Sequence, residues 1–431
     1  MKNKKFKKIS LGIIFDSVLK IPPNTGVTYR VYYLAKKLVE RGVSVKIFLC
    51  NRVFRNSQDV LNFYQKEKDL EIHIIPPLIF YNYKKIIELI KINPVDIIQV
   101  ENPGHIFNFG IQISRYFNIP LCLELHDIEP VLMRDLGYSH QEIKLSKKIT
   151  SAAASSADKI IVFTRQDFNE LVRKVKIKSQ KIVIAPIGID PRIFPYFGPN
   201  LDEKNIIFLG NMFYPPNQEA LNLIAGEIYP KVLKSHKETK FIIVGMVPEE
   251  IKKKLSRPNF IFTDSTDSVD NLNDYLREGT IALCPVIRGS GMKVKILNYC
   301  AAGLPVITTT MAASGYEKLR CLIIENNIKK YPERIDRLLR FPRETRELGR
   351  KNRADVIKYY NGNKIADKIV RTLKDVLSSH SHRKLPEKDL ASEIKSIPAP
   401  LWLREKRIKK TKNKTYYKVN NGKIVFKKRF N

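Results

Sequence analysis

The sequence predicts an α/β protein in which two doubly wound, largely parallel sheets face one cleft, followed by closing helices and a basic tail. Three observations carry that expectation. Two series of short apolar runs alternate with longer segments of helical period. A stretch rich in Pro, Gly and Asn, 188–200, separates the two series. In each series glycines follow directly on a strand, at the sheet end where such folds bind ligands.

The first series of strands is expected at 9–15, 45–50, 96–100, 121–125, 159–163 and 182–185. Between the first two, "GVTYRVYYLAKKLVERG" places Val31, Leu34, Ala35 and Leu38 at helical spacing, and Gly42 is a natural C-terminal stop. Strand, helix, strand in that order calls for a parallel sheet with crossover helices. The second series is expected at 205–210, 240–245, 260–263, 281–286, 304–309 and 321–325. One or two closing helices follow over 343–380. The domains expected are therefore 1–195, 196–342, the closing helices 343–380 and the tail 381–431. From Leu401 onward the tail carries 12 Lys or Arg against the single acid Glu405. Within it, 416–426 places Asn421-Gly422 between alternating β-formers, a hairpin signal. A lone hairpin is marginal in water, so it has to pack on the body or on a partner.

Composition excludes several classes. Of 431 residues 43% are hydrophobic and 28% charged, which suits a folded protein rather than a disordered one. The 77 Lys and Arg against 43 Asp and Glu give a net charge of +34, so the surface attracts polyanions, although Lys-rich codon usage inflates such counts too. The basic start, 1–8, precedes an apolar run that is short, ends at Asp16 and has no small-residue cleavage site; it reads as a buried strand. No apolar stretch approaches the roughly 18–20 residues of a membrane span. Cys50, Cys122, Cys284, Cys300 and Cys321 form no C-x-x-C pair and read as free thiols in a reducing compartment.

The chemistry is expected at the strand ends. Asn24, Thr25 and Gly26 lie between the first strand and helix, where backbone N–H groups can face an anion; an ordinary strand-to-helix loop reads equally well. Arg288-Gly289-Ser290-Gly291 precedes a helix expected over 292–302, so N–H groups, the helix dipole, Lys293 and Lys295 converge. Residues two apart on a helix diverge, so one of the two lysines is expected to reach a bound phosphate. The pattern is neither a Walker loop nor a dinucleotide fingerprint. His126 ends the strand "LCLEL", and Glu101 and Asn102 end the strand "DIIQV". No metal-ligand spacing and no Ser-His-Asp arrangement is present.

"PPNTGVTYRVYYLAKKLVERG", "ELHD", "ADKIIVFT", "APIGID", "FLGNMFYPPNQEALNLI", "FIIVG" and "GSGMKVKILNYCAAGLPVITT" follow one another in order and spacing. Together they resemble the retaining family-four glycosyltransferases of the GT-B fold, in the subgroup with a Gly-rich donor loop. The resemblance spans about Lys8 to Ser379. It implies metal-independent transfer of a sugar from a nucleotide-sugar to a glycan or lipid-linked acceptor, with retention of configuration. No resident cofactor is implied, since the nucleotide-sugar is a co-substrate. On this resemblance His126 lies at the reaction centre and Gly26, Gly289, Ser290, Gly291, Lys293 and Lys295 bind the donor, chiefly its phosphates. Asn298 meets the ribose, and Asn24, Thr25, Glu101 and Asn102 lie on the acceptor side. No carboxylate nucleophile is implied, because the leaving phosphate takes the acceptor's proton.

Two departures stand out. The family's E-x7-E pair falls on Ser290 and Asn298, neither acidic, and the usual Arg and Lys after the strand at 206–209 are replaced, with Asn211 and Asn217 nearby. They keep a second reading open, a catalytically weakened relative serving as a binding or assembly subunit. A third, a nucleic-acid binder working through its basic tail, accounts for the charge but not for the ordered motifs, and no nucleic-acid partner is expected. The expected place is the cytoplasm, with docking on an anionic inner membrane face as a further expectation.

Overall fold

The computed structural model describes residues 8–380, 415–420 and 423–429, except 20, 22, 24, 55, 103–104 and 264–268. Asn24 and the Asn421-Gly422 turn therefore lie outside the described residues.

The first unit is built on β1 (Ser10–Phe15), β2 (Ser44–Cys50), β3 (Glu71–Ile75), β4 (Ile97–Glu101), β5 (Leu121–Leu125), β6 (Lys159–Val162) and β7 (Ile182–Ile184). Its strands run parallel in the order β3-β2-β1-β4-β5-β6-β7. The second unit holds β8 (Asn205–Leu209), β9 (Lys240–Val244), β10 (Phe260–Thr263), β11 (Ile281–Cys284), β12 (Val306–Thr308) and β13 (Ile323–Ile324), parallel in the order β10-β9-β8-β11-β12-β13. Strands buried on both faces explain the near-continuous apolar runs. In each sheet the strand order reverses once, between β1 and β4 and between β8 and β11. Those two switch points open the crevices in which doubly wound sheets bind ligands.

Five helices matter for the site: α1 (Gly26–Val39), α2 (Pro215–Leu223), α3 (Val294–Ala302), α4 (Pro342–Tyr359) and α5 (Gly362–Ser379). Two of them close the molecule. α4 packs on α3, and Arg353 on α4 donates to Pro191 O, Phe194 O and Ala301 O, tying the connection between the units to α3 and α4. α5 then crosses back, and its Ile365, Ile369, Leu373 and Val376 join the core of the first unit against α1.

Two strands from the tail, β14 (Thr415–Asn420) and β15 (Lys423–Arg429), form an antiparallel pair that adds to the first sheet at β3. That sheet thus reaches nine strands among the described residues. The junction is polar and enclosed. His73, at 0% exposure, hydrogen-bonds Tyr416 Oη through Nδ1 and Glu71 Oε1 through Nε2, each at 2.7 Å. Lys418 Nζ reaches Glu71 Oε1 and donates to Asn93 Oδ1, both at 3.1 Å. Burial by itself would raise the Glu71 carboxyl, but His73 and Lys418 bring it down to about 2. Burial also pushes the His73 imidazole down, only partly offset by Glu71. The strand β3 was not expected, because a histidine at its centre reads as exposed until Tyr416 supplies its partner.

Candidate functional site

Between the units lies a cleft of about 490 Å³ lined from both sides. Two helix N-termini meet at its floor. A Cβ added to Gly26, the first residue of α1, would lie 3.3 Å from Cγ2 of Val294, the first residue of α3. The glycine therefore permits the close approach of the units. The two ends are finished differently. Thr25 caps α1: its Oγ1 accepts from the Thr28 N–H at 3.3 Å, while Thr28 Oγ1 accepts from the Thr25 N–H at 3.2 Å. α3 starts after Lys293, a residue of extended conformation that makes no side-chain cap, so the first N–H groups of α3 lack that partner.

The helix starts at Val294, two residues later than expected, which leaves Lys293 outside it, and both lysines line the cleft. Lys293 Nζ turns back on its own loop, donating to Ser290 O and, at 3.1 Å, to Gly291 O. Lys295 Nζ crosses to donate to Asn217 Oδ1 on α2 at 2.9 Å, and lies 4.3 Å from the Phe208 ring centroid. Asn217 in turn donates to Asn211 O at 2.9 Å. No carboxylate among the described residues pairs with Lys295, and burial lowers its ammonium to about 8. Burial lowers Lys293 too, offset chiefly by Asp127. One turn along α3, Asn298 is buried and its Oδ1 has no hydrogen-bond partner among the described residues. Two ammonium groups that pair with no carboxylate among the described residues, a helix end without a side-chain cap and an unpartnered acceptor have the chemistry to suit a phosphorylated group beside hydroxyls.

Opposite lies His126, buried at 3% exposure. Its Nε2 is 2.6 Å from Glu101 Oε2, its backbone N–H donates to Asn102 Oδ1 at 2.8 Å, and Phe163 packs edge-on against the ring. Gln99 Nε2 donates to the other Glu101 oxygen at 2.7 Å. Behind it Arg30 makes a bidentate pair with Glu124, Nε to Oε1 at 2.8 Å and Nη2 to Oε2 at 3.1 Å, and donates to Pro186 O. Burial alone would lower His126, but Glu101, Glu124 and Asp127 outweigh it and raise it; burial and Glu124 raise Glu101. Nε2 being spent on Glu101, Nδ1 has no partner among the described residues. Glu101, Glu124 and His126 place ligand atoms within 4.8 Å of one another, but Arg30, Gln99 and the imidazole already occupy the carboxylates.

The cleft thus gathers Thr25, Gly26, His126, Ser290, Gly291, Lys293, Lys295 and Asn298. Gly289 lines a smaller recess that shares Ser290 and Gly291 with the cleft. Glu101 and Asn102, expected on the acceptor side, both hydrogen-bond His126, because β4 and β5 are neighbours and their ends meet. Asn24 falls outside the described residues. Sequence reasoning passed over Asp127, which lines the cleft, and the Arg30–Glu124 pair beneath it. Only the unusual carboxylate in "LCLEL", a strand buried throughout, signalled the pair.

Residues 24–193 match the family model described as Glycosyltransferase Family 4, and residues 203–340 that described as Glycosyl transferases group 1. A Klebsiella pneumoniae protein described as an uncharacterized 44.6 kDa protein in the cps region is 26% identical over 167 residues, covering 37% of this chain and 41% of that protein. The chain thus spans well under two thirds of that relative's length. Among solved structures, sucrose-phosphate synthase from Thermosynechococcus elongatus superposes with a TM-score of 0.66 at 17% identity, over 86% of this chain and 100% of the other. A glycosyltransferase from Rickettsia africae gives 0.64 at 16%, over 87% and 100%. Anabaena Alr3699/HepE, solved with UDP and glucose, gives 0.63 at 12%, over 85% and 99%. At such identities the likeness bears on the fold, and the fold is GT-B.

Proposed function

From a chain whose two halves carry the domains of a group 1 glycosyltransferase, we propose a retaining transferase that moves a sugar from a nucleotide-sugar to a glycan or lipid-linked acceptor without a metal ion. One observation carries the reading: Lys293, Lys295, the uncapped end of α3 and the unpartnered Asn298 carbonyl lie along one wall of the cleft. Fixed ammonium groups and backbone N–H groups stabilise a leaving diphosphate, the charge task a metal performs elsewhere. Asn298 accepts from a ribose hydroxyl, more weakly than a carboxylate would. His126 presents its free Nδ1 to the donor sugar while Glu101 holds the ring and favours the imidazolium. Retention follows the family resemblance, the leaving phosphate taking the acceptor's proton on the face it departs from.

UDP-sugars are the first donors to test, since Alr3699/HepE was solved with UDP-glucose. The basic surface suits an acceptor on an anionic membrane; no helix among the described residues is long and apolar enough to cross one. Calorimetric titration against UDP-, GDP-, ADP- and dTDP-sugars with EDTA present, followed by NMR of the product's anomeric proton, tests the reading. One donor binding at micromolar level, with turnover and retained configuration, is the expected result. Binding without turnover would favour the weakened-subunit reading, to which the neutral Ser290 and Asn298 already lend weight. No binding across the panel would overturn both.

A further inference from the structure

The cleft has one charged group that the nucleotide reading leaves without work. Asp127 follows His126 at the end of β5 and lines the cleft from the first unit. Its Oδ1 accepts a hydrogen bond from Ser290 Oγ of the second unit at 2.9 Å. The contact is tight by construction: a Cβ on Gly291, whose φ is +69°, would fall 2.4 Å from Asp127 Oδ1 and 2.7 Å from His126 O. Asp127 Oδ2 has no hydrogen-bond partner among the described residues.

A carboxylate only accepts hydrogen bonds, and beside a phosphate it repels by roughly 1–4 kcal/mol at about 4 Å. The part of a ligand that meets Asp127 is therefore uncharged and rich in donors. The order of groups says which part. Asp127 and Lys293 both bond to the Ser290–Gly291 segment, Lys295 lies beyond it against Asn217, and Asn298 is one helical turn further. Carboxylate, two ammonium groups and a neutral acceptor in sequence match a hydroxylated sugar ring, two phosphates and a ribose. The second unit has no acid at Ser290 to meet the sugar, and the first unit brings one to it.

We propose that Asp127 is the residue that binds the hydroxyls of the transferred sugar, held in place across the seam by Ser290. The inference rests on the nucleotide-sugar reading of this cleft. It assigns recognition of the sugar to the first unit and recognition of the nucleotide to the second.

The test compares the full-length protein with D127N and S290A, titrated with UDP and with UDP-glucose, or with the pair that the donor panel selects. Asn keeps the size of Asp and can still accept from Ser290, so the cleft survives. UDP should bind D127N as tightly as the wild type or slightly tighter, since a negative charge near the phosphates has gone. The affinity that the glucose adds should fall about 10- to 100-fold in D127N, the range of a hydrogen bond to a charged group. S290A should show a smaller loss of the same kind. Equal weakening of both ligands in D127N, or no change in either, would sink the inference while leaving nucleotide binding standing. Failure of the wild type to bind any nucleotide would sink the underlying reading instead.

Discussion

The N-termini of α1 and α3 face the same cleft in near contact at Gly26 and Val294, yet they do different things. α1 meets part of its own need: Thr25 and Thr28 close a reciprocal capping box. α3 begins on Lys293 without a side-chain cap, with Lys295 and Asn298 on the turns that follow. Two helix starts at one cleft, one after β1 and the other after β11, thus divide the work. The capped one builds the wall, and the uncapped one, with ammonium groups beside it, is left open to an anion.

The comparison can be broken first at Gly291. An alanine there meets Asp127 and His126 at 2.4–2.7 Å and sits at φ +69°. G291A should force the units apart and lower turnover by about 100-fold, the scale of an ångström of misplacement. Steady-state kinetics check it, and near-normal turnover would mean that the seam is not the working geometry.

Next comes the charge at the open end. K295M should weaken nucleotide-sugar binding by roughly 10- to 100-fold, the loss of a charged hydrogen bond. The lysine also predicts a pH dependence. In the free protein its ammonium, lowered to about 8, gives up its proton as pH rises through that value. The anion binds the protonated form, so affinity should fall from pH 7 to pH 9, and K295M should lose most of that slope. Calorimetry at the two pH values reads both effects; an unchanged slope would place the anion elsewhere.

The smallest effect sharpens the contrast from the other side. T25A removes the cap of α1 and should reduce stability by about 1 kcal/mol, seen in thermal or denaturant unfolding, with donor affinity within a factor of two. A large loss of donor affinity would show that the α1 end also holds the ligand.

Much of this molecule can be read along the chain, because its strands are short apolar runs and its helices carry a 3.6-residue period, and both signals are local. The break at 188–200 and the Gly-Ser-Gly loop are likewise visible in a few consecutive letters. What escapes is set by partners far away in the sequence. β3 hides its strand character behind His73, whose partner Tyr416 comes 343 residues later. Lys293 reads as helical, yet it serves as the residue before α3, folded back on its own loop, and both lysines line one cleft. Glu101 is a strand-end acid until the ends of β4 and β5 meet and make it the partner of His126.

The letters alone thus dictate two doubly wound sheets, the break between them and the basic loop that ends in α3, since each depends on neighbours within a turn or a strand. The cleft itself was decided in three dimensions. Asp127 and Ser290 lie 163 residues apart and Arg30 and Glu124 lie 94 apart. Pairs at such separations leave no period in the sequence. They exist only because burying the apolar faces of both sheets, with α5 crossing back to bind them, brings the strand ends within hydrogen-bonding distance.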